Sequence, residues 1–114
     1  MANKNIQLVR GDTLSFGVEI EGITQELDSA YFTVKSDLFD NTPIVQKSLA
    51  NGIELVSVGT TSVKYRIRVA PADTYNVEPS NYFYDFQIGI NGDIFTLLNG
   101  QLQLVADVTR EEGV

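Results

Sequence analysis

The sequence predicts an all-β domain, and three observations carry that expectation. Apolar and polar residues alternate along most of the chain, as where Val63, Tyr65, Ile67 and Val69 interleave with Lys64, Arg66 and Arg68. A period of two is the mark of a half-buried strand. Asn91-Gly92 sits between two such runs, and Asn-Gly supplies the pair of positive-φ residues that a tight hairpin needs. No segment carries apolar residues at the i, i+3, i+4, i+7 spacing of an amphipathic helix. About seven to nine strands at intervals of roughly 8–12 residues then fit an immunoglobulin-like antiparallel β-sandwich.

Taken in order, Ile6 to Val9 reads as a short strand broken at Arg10-Gly11-Asp12. Leu14, Phe16, Val18 and Ile20 alternate with Ser15, Gly17 and Glu19, and Ala30, Phe32 and Val34 with Tyr31, Thr33 and Lys35. Ser36 to Thr42 is a polar loop. Pro43 to Leu49 is expected at a sheet edge, where a missing N–H costs nothing. Asn51-Gly52 is expected to turn the chain into a weaker strand, Ile53 to Val58. After the basic-faced run at 63–69, Pro71-Ala72-Asp73-Thr74 is a turn or one helical turn, since Pro71 presets φ. Tyr82, Tyr84, Phe86, Ile88 and Ile90 form the longest alternating run. Ile94 to Leu98 returns from the hairpin, a turn or kink is expected at Asn99-Gly100, and Leu102, Leu104, Ala106 and Val108 end the sheet. One domain is expected over residues 1–114, with loose tails at about 1–4 and 110–114.

With 114 residues the chain holds one core. An apolar content of 43% makes that core large enough to fold without staples, and no cysteine is present to supply one. The net charge of −7 disfavours nucleic acid, whose binding is driven by Lys and Arg neutralising phosphate. It disfavours an anionic membrane surface for the same reason. No run approaches the ~20 apolar residues of a membrane span, and Met1-Ala2-Asn3-Lys4-Asn5 lacks the apolar stretch of a secretory signal. A soluble protein made in the cytoplasm is the expectation.

The chain has no histidine and no cysteine. That removes the Ser-His-Asp and Cys-His constellations and the usual zinc ligands. A carboxylate pair could still hydrolyse a glycoside, but Glu19, Glu21, Asp28, Asp73 and Asp85 are read as solvated acids on polar faces and strand ends. No enzyme activity and no cofactor are expected. Asp37, Asp40 and Asn41 share a loop without the dense oxygen spacing that calcium requires, so a polar loop is the better reading. Arg10-Gly11-Asp12 spells an adhesion tripeptide, yet a glycine-centred turn explains it as well.

Two surface features point towards partners. Lys64, Arg66 and Arg68 gather on one strand face, either as a solvated face paired with acids or as a contact for an acidic surface. Phe83 faces opposite to Tyr82 and Tyr84, while Phe39 and Tyr75 fall in loops; exposed aromatics that cluster mark contact surfaces. Phe39, Tyr75 and Phe83, with Arg66 and Arg68 as polar companions, are therefore the candidate partner interface.

Several segments, read together, resemble a known group. They are Arg10-Gly11-Asp12-Thr13 leading into Ser15-Phe16, Tyr31-Phe32-Thr33-Val34-Lys35, Pro43, Gln46-Lys47-Ser48, and Gly52-Ile53. Ala70-Pro71-Ala72-Asp73-Thr74, Tyr82-Phe83-Tyr84-Asp85-Phe86-Gln87-Ile88, Thr96-Leu97-Leu98 with Gly100, and Asp107-Val108-Thr109 follow. In this order they resemble small immunoglobulin-like virion proteins of phages and prophages of Gram-positive bacteria, and are similar to the N-terminal module of upper baseplate proteins. The likeness covers residues 8 to 109. Where such modules often carry Pro-Gly before the long aromatic strand, this chain has Pro79-Ser80-Asn81.

The resemblance implies a non-catalytic virion component, in tail, baseplate or particle decoration, made in the bacterial cytoplasm and assembled into the particle. Its expected partners are other virion proteins, or further copies of itself, held by edge strands and exposed aromatics. A carbohydrate-binding or host-surface adhesion module is the alternative, with Tyr31, Tyr75 and Phe83 as its candidate stacking rings.

Overall fold

The period-two segments become strands. A computed structural model describes residues 2–39 and 41–108. In chain order it contains β1 (Ala2–Asn3), β2 (Ile6–Val9), β3 (Leu14–Glu21), β4 (Ser29–Lys35), β5 (Val45–Leu49), β6 (Gly52–Val58) and β7 (Ser62–Val69). The helical turn α1 (Pro71–Thr74) and the long strands β8 (Ser80–Ile90) and β9 (Asp93–Val105) complete it.

Alternation decides what is buried. On β7, Val63, Tyr65, Ile67 and Val69 are buried while Lys64, Arg66 and Arg68 are exposed. On β4, Ala30, Phe32 and Val34 turn inward, and on β8 so do Tyr82, Tyr84, Phe86 and Ile88. Phe32, Phe86 and Ile67 are 0% exposed, and each such side chain contributes roughly 1.5–3 kcal/mol of burial.

The strand path runs β1-β9-β8-β4-β5-β6-β7-β3, with β2 also paired to β9. It folds over at β5–β6, which touch through two register pairs, Ser48↔Gly52 and Leu49↔Ile53. Strands β6, β7 and β3 thereby form one layer, and β5, β4, β8, β9, β1 and β2 the other. The proof is a contact between strands that do not pair: Phe16 on β3 meets Phe32 on β4 edge-to-face, with ring centroids 5.8 Å apart. Likewise the Leu27 N–H donates to the Tyr65 hydroxyl on β7 at 2.9 Å. A water-sized gap of about 10 Å³ lies among Leu8, Val34, Val69 and Leu102.

This is the expected all-β sandwich, and two corners brace it. Asn91 and Gly92 have φ of 53° and 85° between Ile90 and Asp93, the positive-φ pair of a two-residue hairpin. At the start of β8 the Tyr82 hydroxyl donates to the Glu78 carbonyl, the tyrosine corner known from this architecture. Asp73 braces the preceding connection: its carboxylate accepts the Ala70 N–H at 2.7 Å and meets Lys47 Nζ at 2.8 Å.

Three expectations need correcting. The sandwich is mixed rather than purely antiparallel, because β1 and β2 run parallel to β9 and β5 runs parallel to β6. Residues 2–3 are not a loose tail; Ala2 pairs Leu98 and Asn3 pairs Asn99. The Tyr84 hydroxyl donates to the Lys4 carbonyl and ties this start down. The expected C-terminal tail at 110–114 lies outside the described residues. Finally, Asn99-Gly100 does not break the chain into two strands. β9 is continuous, with an extra residue at Leu97 between the Phe86↔Leu98 and Gln87↔Thr96 pairs. Gly100 is there for close approach, since a Cβ would overlap the Lys4 carbonyl.

Candidate functional site

The two outer faces of the sandwich differ, and the difference locates the candidate site. On the β6–β7–β3 layer, the outward side chains of β7 are exposed cations. Arg66 lies 3.5 Å from Glu54 on β6, with both side chains more than half exposed. Arg68 stands opposite Ser15 and Lys64 opposite Glu19. Charges arranged in this way form a solvated face whose pairs are worth little.

The other layer's outer face is a broad open groove of about 980 Å³. Its floor is built by register. Tyr31 on β4 stands opposite Gln87 on β8, Thr33 opposite Asp85, and Lys35 opposite Phe83. Across β8, Phe83 faces Gln101, Asp85 faces Asn99 and Gln87 faces Thr96. The rim is supplied by Asn3 and Asn5 on one side and by Leu38, Asn41, Pro43 and Gln46 on the other. Sequence positions almost a hundred residues apart meet here because β1 and β9 are adjacent.

The groove is polar but lightly charged. Tyr31 keeps 41% of its surface exposed, whereas Phe83 and Asp85 are half-buried. Burial pushes the Asp85 carboxyl above its ordinary value, and the Lys35 ammonium pulls it partly back. Asn5 Oδ1 accepts the Gln101 N–H at 3.1 Å, and Gln46 Nε2 donates to Thr33 Oγ1 at 3.2 Å. Asn99 Oδ1 is buried and has no hydrogen-bond partner. A buried acceptor in that state calls for an explanation.

The five candidate interface residues do not converge. Phe83 lines the groove. Phe39 is 91% exposed in the loop that supplies Leu38 and Asn41 to the rim, where Asp37 Oδ1 accepts the Phe39 N–H at 3.0 Å. Tyr75 follows α1 and is half-buried beside Gly11. Arg66 and Arg68 lie on the opposite layer.

The remaining sequence candidates have structural employment. Gly11 (φ 83°) turns the chain at Arg10-Gly11-Asp12. Arg10 Nε meets Asp107 Oδ1 at 2.8 Å, and the Gly11 N–H donates to Thr74 Oγ1 at 2.9 Å. Of the acids, Glu19 accepts the Ser62 hydroxyl and Asp28 accepts the Asn91 N–H, at 2.7 and 2.8 Å. Among the described residues no group of three or more metal-ligating side chains is assembled; Asp40 falls outside them.

One further surface follows from topology rather than from a cavity. β3 pairs with β7 over all eight of its residues, Leu14↔Val69 to Glu21↔Ser62, without a bulge. Among the described residues nothing pairs with its other edge. Its inward residues Leu14, Phe16 and Val18 are only half-buried, while their β7 neighbours are fully buried. Sequence alternation identified this strand; its position at the end of the sheet could not be read from alternation.

No protein-family model matches this chain, and a search of the curated proteins finds no match.

Proposed function

We propose that this chain is a non-catalytic structural protein of a phage virion, a tail, baseplate or particle-decorating component that works through protein–protein contacts. The observation that carries the contact mode is the open edge of β3. Among the described residues, alternate members of this eight-residue strand leave their backbone N–H and C=O groups unpaired, the others bonding to β7. Leu14–Glu21 contains no Pro and no Lys or Arg, and its register has no bulge. An edge left in this state is a template for a strand from a neighbouring chain. The half-buried Leu14, Phe16 and Val18 add apolar surface for that strand to cover. The virion setting rests on the ordered likeness between residues 8 and 109 and phage immunoglobulin-like modules.

In this reading the protein is made in the bacterial cytoplasm and ends in the particle. Peptide mass spectrometry with copy-number estimation on gradient-purified particles tests it. A fixed, symmetry-compatible copy number is expected. Absence from intact particles, despite expression in infected cells, would overturn the reading.

A further inference from the structure

Beyond that role, we infer that the outer groove of the β5–β4–β8–β9 layer is a binding site for an uncharged oligosaccharide. The chemistry of its lining singles out this ligand. Seven of the chain's fourteen amide side chains (eight Asn and six Gln) line this one surface. Each amide places a donor beside an acceptor, which matches neighbouring sugar hydroxyls that donate and accept in turn. Its aromatics, Tyr31, Phe83 and Tyr84, would suit a protein interface as well; the dense amides are what favour a sugar.

Charge agrees. In a chain of net charge −7, one cation and one anion among the described residues line the groove, Lys35 and Asp85. It therefore offers little to phosphate or to a strongly charged peptide.

Size follows from the register. Tyr31 stands opposite Gln87 and Phe83 opposite Lys35, so the two rings lie four residues apart along the sheet, about 13 Å. One sugar ring cannot reach both; a chain can, laying its apolar faces on the rings. Beside the rings, Gln87 opposite Tyr31 and Gln101 opposite Phe83 bring amides to the same face.

The test titrates the ¹⁵N-labelled chain with uncharged linear hexaoses built from glucose, galactose, mannose or N-acetylglucosamine. The side-chain NH₂ resonances of Asn99, Gln87 and Gln101 are followed. At least one sugar should shift them saturably, with Kd on the order of 1 mM or tighter. Tyr31→Ala should weaken that binding about tenfold while leaving Tm unchanged. Gln87→Ala removes the amide opposite Tyr31 and should weaken binding with Tm unchanged. No shift with any sugar at about 10 mM overturns the site, as do shifts that persist unaltered in both variants. A virion protein found seated in the groove would also overturn it. None of these results bears on whether the chain is present in particles.

Discussion

β7 and β8 are both long alternating strands, one in each layer, yet their outward faces came out as opposites. Outward from β7 stand Lys64, Arg66 and Arg68, exposed and loosely paired. Outward from β8 stand Phe83, Asp85 and Gln87, half-buried in a groove. Alternation decides which residues face out, and the neighbouring strands decide what that face becomes. β7 has β6 and β3 beside it, with Glu54 opposite Arg66 and Glu19 opposite Lys64. β8 has β4 and the long β9 beside it, and β1 beyond, so its outward residues gain walls. A face whose outward residues are half-buried without being apolar combines walls with hydrogen-bonding groups; a face of exposed charges stays solvated.

The comparison can be broken at several strengths. Truncating what both layers share has the largest effect. Phe32→Ala removes a side chain that is 0% exposed and touches the opposite layer through Phe16. It should cost about 3–5 kcal/mol, read as a lower urea midpoint. Gly100→Ala strikes only the walled layer, because its Cβ overlaps the Lys4 carbonyl and pushes the chain start off β9. A loss of roughly 1–3 kcal/mol is expected, with faster amide exchange at Gln7 to Val9. Tyr82→Phe removes the hydroxyl that donates to Glu78 and should cost about 1 kcal/mol.

Electrostatics separates the faces next. The Asp85 carboxyl is held above its ordinary value, chiefly by burial. The folded protein therefore binds this proton more tightly than the unfolded chain does, and the group costs stability as pH rises through that window. Asp85→Asn should raise Tm at pH 7, and the gain should vanish below the ordinary carboxylate range. Arg66→Ala, on the solvated face, should change stability by less than about 0.5 kcal/mol.

Much of the fold was legible because it rests on local pattern. The buried sets of β4, β7 and β8 are the alternating apolar residues, and Asn91-Gly92 is the hairpin its dipeptide announces. What was illegible depends on partners distant in sequence. Ala2-Asn3 carries no pattern, so nothing marked it as a strand until β9 lay beside it. Asn99-Gly100 has turn chemistry, but here the glycine admits a neighbouring backbone. The turn expected at Asn51-Gly52 begins one residue earlier, with Ala50 at φ 64°, a conformation whose cost propensity alone does not foresee. The groove was the least legible part. Tyr31, Asp85, Gln87 and Asn99 sit on three strands, and only their register gathers them. Parity alone points to Phe83; charge points to Arg66 and Arg68, whose face is the solvated one.

The open edge of β3 is the point on which the proposed role turns, and hydrogen exchange tests it most directly. Amide exchange would be followed by mass spectrometry in the free chain and in gradient-purified particles. The account predicts that peptides spanning Leu14–Glu21 exchange measurably more slowly in the particle, because a neighbouring strand then pairs with the amides left open by β7. Equal exchange of those peptides in both states, with the chain present in the particle, would contradict it.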